Sequence, residues 1–431
     1  MLEKRSKKSC LLSLLWIVIT LLGACDSVDR EKAVLFDSSL TVEANIASNL
    51  ITLENNNDFD KLDRFVKDKR IVILGEAGHW NGATFEVKVN WIKHLHKKYG
   101  FDVIAMEGLS PLPAYLLQLK DFQCPWNIVD IWSWAENKEN QPLLSMIVSG
   151  QLFAVGIDLP SYYFTADSKN FTYPDVLQLA IKRIDTENIC KIDWNRLIEL
   201  YIKYLSFFNS GNGETNQYNT SDLAEMMNFF NQIEQYVALL SKKYGVDLQV
   251  IQQSLKNNKV EFQCGFYNID PANIDLSTIH IANNYRDRQM ADSLLWYLDR
   301  NPDKKVIVWC ANFHGAKDIS EIDYPQDSLL YYRTRLMGEH LADKYGDKLY
   351  SIAFTTSEPV TQNEPIGDLE KELAKGKYDY GFIDFTVLRR HPDYLGKKFN
   401  SSIIRRKNGR FHVTWDGVYY IRKEHLPIQQ K

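Results

Sequence analysis

The sequence contains no G-x-S-x-G elbow, no H-E-x-x-H pair, no G-x-G-x-x-G turn after a strand and no Walker loop. Covalent serine hydrolysis, dinucleotide redox chemistry and P-loop transfer therefore lose their usual sequence support. Cysteine is scarce, with 6 in 431 residues and no C-x-x-C among them, which argues against a zinc ribbon or a redox pair. Cys124, Cys190, Cys264 and Cys310 are widely spaced, and buried free thiols are the default reading for them. Charge of one sign is lacking as well. The formal net charge is -4 and the 51 basic residues are scattered, so there is no stripe to track a phosphate backbone and nucleic acid is not an expected partner.

The N-terminus carries an apolar run too short for a permanent membrane helix, which needs about 20 residues. Lys4, Arg5, Lys7 and Lys8 precede the apolar stretch Cys10 to Leu22, which stops at Leu22-Gly23-Ala24-Cys25. A basic segment, a short apolar segment and small residues before a cleavage point make a secretory signal. The final tetrad resembles the lipobox of bacterial lipoproteins. That resemblance implies removal of the residues before Cys25 and acylation of Cys25, with membrane attachment through lipid alone and the domain in the cell envelope outside the cytoplasm. Residues 1–25 are accordingly expected to be signal, 26–57 a polar tether and first helix, and 58–431 the folded domain.

Within that domain the near-continuous apolar runs 70–74, 101–106, 152–157, 305–309 and 349–354 have strand length and the composition of a parallel sheet buried on both faces. Between the first two, Phe85, Val89, Ile92, Leu95 and Tyr99 share a helical face that Lys88 is expected to lie off, and Gly100 ends the helix. Helices are also expected from about Asp287 to Leu298 and from Met337 to Lys344. From about 162 to 265 the apolar spacing is helical throughout, as in Ile198, Tyr201, Leu205 and Phe208, or Met226, Phe229, Ile233 and Val237. The expected fold is α/β, a mostly parallel sheet flanked by helices, with a helical insert.

The carboxyl ends of these strands carry the chemistry-bearing residues. Glu76 and His79 come directly after the first, Glu107 after the second, Asp158 after the third and His314 after the fourth. In a parallel sheet the carboxyl ends lie along one edge, where ligands bind, so these residues should converge. A histidine beside carboxylates can deprotonate water if an acid orients the ring and stabilises its charged form. Glu76 precedes His79 by three residues in Gly75-Glu76-Ala77-Gly78-His79, and the glycines are expected to give that loop left-handed backbone.

Leu74-Gly75-Glu76-Ala77-Gly78-His79, then Phe85-Glu86 and Ala105-Met106-Glu107, resemble the opening signature of the erythromycin esterase family. Gly156-Ile157-Asp158, Arg286 to Asp292 and Val308 to His314 resemble its later blocks, in the same order. The resemblance implies an α/β core that hydrolyses a lactone ester of macrolides by water attack. It places the general base on His79, its acidic neighbour on Glu76, and further catalytic groups on Glu107 and His314. Arg286 and Arg288 match the arginine block, suited to an oxyanion or substrate oxygen, and Lys88 and Asp158 join them as substrate-binding candidates. Three departures stand out: Ala311 where a histidine is common, Trp80-Asn81 where Gly-Thr is common, and Lys88 where resistance enzymes carry arginine. The base and carboxylates are kept while substrate-positioning groups differ, so the substrate is a small molecule that need not be a macrolide.

Two other readings stay open. Glu76, His79, Glu107 and His314 also offer ligands for zinc or manganese, the alternative to a cofactor-free site. A ligand-binding protein without turnover would use the aromatics, with Trp80, Trp91, Trp126, Trp132 and Trp134 as stacking candidates.

Overall fold

The computed structural model describes residues 34–118, 137–159, 172–209, 220–246, 248–267, 276–323, 334–361 and 366–429. The chain divides into two compact units, Met1–Phe36 and Asp37–Lys431, and the helices and strands of the described residues all belong to the second. The signal segment with Cys25 lies outside the described residues, as do Trp126, Trp132, Trp134 and Cys124.

The sheet is built from β1 (Ile51–Leu53), β2 (Ile71–Leu74), β3 (Val103–Met106), β4 (Phe153–Gly156), β5 (Val306–Trp309), β6 (Leu349–Glu358), β7 (Tyr380–Asp384) and β10 (Gly417–Lys423), in the order β1-β7-β10-β6-β2-β5-β3-β4. From β10 to β4 all neighbours are parallel, and β7 runs antiparallel to both β10 and β1. A short hairpin, β8 (Phe399–Ser401) and β9 (Lys407–Gly409), stands apart. The central strands β2, β3 and β5 are buried at every residue, which is why they read as unbroken apolar runs. The folded body begins before Asp58, because Ile51–Leu53, expected in the tether, pairs with Tyr380–Phe382 as an edge strand of the sheet.

Helix α1 (Gly82–Tyr99) joins β2 to β3 and ends at Gly100, whose φ of 68° is the left-handed C-cap that glycine adopts without strain. Its buried face holds Phe85, Val89, Ile92 and Leu95. Lys88, expected off that face, is completely buried on it. The turn geometry explains this, since position 88 lies three residues from 85 and four from 92 and so shares their side.

The expected helical insert is present. Between 172 and 267 the described residues form helices α2 (Tyr173–Lys182), α3 (Trp194–Asn209), α4 (Thr220–Tyr244) and α5 (Gln249–Tyr267) around a core that includes Tyr173, Leu197, Tyr201, Met226, Phe230, Ile233 and Leu255 and is joined by Leu112 and Leu116. Asn257 on α5 donates to the carbonyl oxygens of Ile157 at 3.4 Å and Asp158 at 3.1 Å, tying the insert to the end of β4. Helix α6 (Leu276–Arg300) starts well before the expected Asp287 and α7 (Met337–Tyr345) lies where expected. Among the described cysteines, Cys190 and Cys310 are free and buried.

Candidate active site

Strand β5 enters the sheet between β2 and β3, so Leu74, Trp309, Met106 and Gly156 form one row across four neighbouring strands. Glu76, His314, Glu107 and Asp158 leave that row within five residues of it, all at the carboxyl edge. The row explains how residues over 200 positions apart meet. It is also the point where chain order and strand order part, the usual place for a ligand in an open α/β sheet.

The loop after β2 is packed into place. Gly75 N–H donates to the Ile352 carbonyl at 2.9 Å and Asn312 N–H to the Glu76 carbonyl at 2.8 Å. A Cβ on Gly75 would stand 2.3 Å from Asn312 Oδ1. The left-handed backbone expected at Gly75 and Gly78 is absent, since neither has positive φ. Gly75 is required for close approach to the next strand's loop. Left-handed backbone appears two strands over, after β3, at Gly108 with φ of 79°.

Two clusters occupy the edge. In the first, His79 Nδ1 lies 2.7 Å from Glu76 Oε1. A carboxylate can only accept, so Nδ1 carries the proton and Nε2 is left as the basic nitrogen. Glu76 is buried, and its other oxygen accepts from Lys88 Nζ at 2.8 Å. Lys88 in turn sits 3.8 Å above the Trp309 ring. Burial works to raise the Glu76 carboxyl, yet the Lys88 ammonium and His79 bring it below its ordinary range. Burial lowers Lys88. The hydrogen bond that His79 donates to Glu76 raises His79 above its ordinary value, against the opposing effect of burial, with Glu107 adding to the rise. The His79 side chain is 62% exposed, so its ring meets solvent at the carboxyl edge of the sheet.

The second cluster is closed. Arg286 donates to Asp158 from Nε at 2.9 Å and from Nη2 at 2.5 Å, and Nη2 also reaches Glu107 Oε1 at 3.1 Å. His314 places Nε2 3.0 Å from Glu107 Oε1 and Nδ1 2.8 Å from Asp287 Oδ1. Nδ1 donates to Asp287, while Nε2 lies between the Glu107 carboxylate, to which it donates when the ring carries its positive charge, and Arg286 Nη1, from which it accepts when the ring is neutral. Burial opposes that charge, but Asp287 and Glu107 prevail and push His314 up to about 10. Arg286 Nη1 stands 3.1 Å from His314 Nε2, a like-charge approach balanced by the surrounding acids. Glu107 is held well below the usual carboxylate range: burial resists, and His314 and Arg286 overcome it. Its second oxygen accepts from Ala311 N–H at 2.7 Å.

The structure thus gathers Glu76, His79, Glu107, Asp158, Arg286 and His314, and reassigns several expected roles. Lys88 is buried beneath Glu76 and cannot meet substrate. Asp158 is occupied by Arg286 and by the N–H groups of Gly108 and Leu159, at 3.0 and 2.7 Å, so it anchors the arginine. Arg288 points away, pairing with Asp292 Oδ1 at 2.9 Å with its side chain 58% exposed, because two residues along a helix is about half a turn from Arg286. Asp287 went unmarked in the sequence. Its signal is weak, an acid flanked by two arginines, and its value appears only when His314 is brought to it.

For a metal, the expected ligand set is divided. Lys88 faces Glu76, while Arg286 and His314 face Glu107, so side-chain cations already stand against these acids. Among the described residues, two other groups of three bring possible ligand atoms within 4.8 Å of one another, Asp60/Asp63/His94 and Glu86/Glu139/His425. Trp80, one residue after His79, is 57% exposed, whereas Trp91 is fully buried and stacked on Phe59 at 5.2 Å, a core residue and no ligand platform.

The family model described as erythromycin esterase matches residues 265–410, a span holding Arg286, Asp287 and His314. A Bacillus subtilis (strain 168) protein that carries the name of a hydrolase, YbfO, is 24% identical over 374 residues, covering 77% of this chain and 77% of its own length. Erythromycin esterase type II of Escherichia coli is 23% identical over 329 residues, covering 70% of this chain and 73% of its own. Among solved structures, a mutant of the erythromycin esterase EreC in its open conformation matches with a TM-score of 0.57 at 18% identity, over 87% of this chain and 95% of that one. At that identity the likeness carries the fold alone.

Proposed function

We propose that this chain, which is similar to the erythromycin esterase family over residues 265–410 and to erythromycin esterase type II along most of its length, is a hydrolase that cleaves an ester, lactone or related acyl bond of a small molecule with water activated by His79. The observation that carries this reading is the Lys88–Glu76–His79 chain, with contacts of 2.8 and 2.7 Å, ending on an imidazole exposed at the carboxyl edge of the sheet.

In the proposed reaction His79 Nε2 takes a proton from water as its oxygen bonds the carbonyl carbon. Glu76 stabilises the imidazolium that forms, and nearby Glu107 adds to the effect. The electron pair of the C=O bond moves to oxygen, for which Arg286, less enclosed than His314 at 12% against 8% side-chain exposure, is the proposed donor. The tetrahedral species collapses, the C–O bond to the leaving group breaks, and the alkoxide recovers the proton from His79. Acid and alcohol leave, and the enzyme is unchanged.

The altered neighbours Trp80, Asn81, Lys88 and Ala311 support a substrate other than a macrolide. The basic start, short apolar run and Leu-Gly-Ala-Cys tetrad support export and a lipid anchor on Cys25, with the domain at the envelope surface.

An ester and macrolide hydrolysis screen of wild type and His79→Ala, with and without chelator, tests the reading. Turnover that resists chelator and disappears in His79→Ala is the expected result. Chelator-sensitive turnover with stoichiometric metal would replace it by a metallohydrolase, and ligand binding that survives His79→Ala with no turnover in either form by a binding protein. Since His79 is raised, the acid limb of kcat/KM should lie above the ordinary histidine value of about 6.5, activity rising as the ring loses its proton.

A further inference from the structure

We propose that residues 424–429 form a clamp on the catalytic loop, with Glu424 and Thr84 as positioning residues that fix where His79 stands. The inference rests on His79 as the base and concerns how the chain holds it. The loop from Gly75 to Asn81 is anchored at its entry by β6 and by Asn312. Its exit is the first turn of α1, and there the local sequence supplies little: the N-cap Asn81 makes no side-chain cap hydrogen bond and the first turn has no acidic residue. Exposed N–H groups at a helix start need acceptors.

A segment some 340 residues later provides them. Gly82 N–H donates to the His425 carbonyl at 2.8 Å, Thr84 N–H donates to Glu424 Oε2 at 3.3 Å, and the Thr84 hydroxyl pairs with Glu424 Oε1. The approach is close enough that a Cβ on Gly82 would fall 2.5 Å from the His425 ring. Both positioning residues are buried, Thr84 at 1% and Glu424 at 5% exposure. The segment is itself held at both ends. Glu424 N–H donates to the Glu358 carbonyl at 2.9 Å at the end of β6. Farther on, Ile428 N–H donates to Glu139 at 3.0 Å, Lys138 N–H to the Ile428 carbonyl at 2.8 Å, and Gln429 Nε2 to Asn137 Oδ1 at 2.7 Å.

Only Trp80 and Asn81 separate His79 from Gly82, so a shift at the helix start is passed to the imidazole. A displacement of about 1 Å in a catalytic group can cost 100-fold in rate. A glutamine at 424 can still accept from Thr84 N–H and donate to the Thr84 hydroxyl, so it should preserve the clamp, whereas alanine removes it.

The test uses the full-length protein carrying 13C-labelled histidine, with the His79 signal assigned by its loss in His79→Ala, and compares wild type, Glu424→Ala, Glu424→Gln and Thr84→Val. In Glu424→Ala the His79 titration should move down toward the ordinary histidine value as its bond to Glu76 loosens. The acid limb of kcat/KM should move with it, and kcat should fall by about 10–100-fold. Glu424→Gln should restore both, and Thr84→Val should give a smaller change of the same sign. An unmoved His79 titration in Glu424→Ala and Thr84→Val, with only the melting temperature lowered, would reduce Glu424 to a helix cap and overturn the clamp. If Glu424→Ala fails to fold, Thr84→Val alone decides. The titration needs no turnover, so a protein inactive on every ester would overturn the hydrolase reading and leave the clamp standing or falling on its own signal.

Discussion

His79 and His314 leave the ends of adjacent strands, β2 and β5, and share almost nothing else. His79 is 62% exposed with one carboxylate partner, while His314 is 8% exposed between two carboxylates and beside a guanidinium. The first can lose and regain a proton as solvent and substrate come and go. The second favours the cation, raised to about 10 by Asp287 and Glu107 against the cost of burial and of nearby Arg286. On the proposed mechanism the same side chain carries a proton at one place and holds a charge at the other, a difference that follows from exposure and from the number of acids it touches.

The largest effect that should separate them is on stability. His314→Leu leaves Asp287 buried without its cation and Glu107 with Arg286 alone, and should cost about 3–5 kcal/mol in urea unfolding, as expected when one partner of a buried pair is removed. His79→Leu should cost under about 1 kcal/mol, since its pair is open to solvent. Equal losses at both sites would dissolve the contrast.

Next in size is Lys88→Met. Without the ammonium, burial should keep Glu76 protonated at neutral pH and His79 should lose its raised basicity. We expect kcat/KM to drop by about 10–100-fold, with Lys88→Arg recovering part of the loss. An unchanged acid limb in Lys88→Met would show that Glu76 does not depend on it.

A smaller signal is the alkaline dependence of stability. The folded state raises His314, so its contribution is complete below the unfolded value of about 6.5. It is lost as pH climbs toward about 10. Urea midpoints should decline across that window in wild type and less in His314→Leu, whereas parallel curves would argue against a held imidazolium. The smallest effect belongs to Arg288→Ala. With its side chain turned to Asp292 and solvent, kcat/KM should stay within about threefold of wild type, as for surface changes generally. A larger loss would bring Arg288 back into the cleft.

Much of this was legible in the sequence, for reasons that are local. An apolar run of four or five residues followed by Gly-Glu or Met-Glu marks a buried strand and what stands at its end, so β2 to β6 and the residues Glu76, Glu107, Asp158 and His314 could be read directly. The same local reading misjudged Lys88, because an apolar face was defined by residue type and a lysine with a buried partner breaks that rule. It misjudged Arg288 because a motif names both arginines while a helix turns them to different sides. Asp287 and Glu424 were beyond it, since nothing near them in the chain marks their partners.

Periodicity and strand composition are properties of a few adjacent residues, and so the α/β class, the helical insert and the edge that gathers the acids and histidines can be read along the chain. Which cation meets which acid depends on strand order. The insertion of β5 between β2 and β3 is a long-range event, and it sets His314 against Glu107 and Asp287 while His79 stays exposed. Electrostatic and hydrogen-bonding effects act over a few ångströms in space regardless of separation along the chain. The contrast between the two histidines therefore exists only once the strands have been brought together.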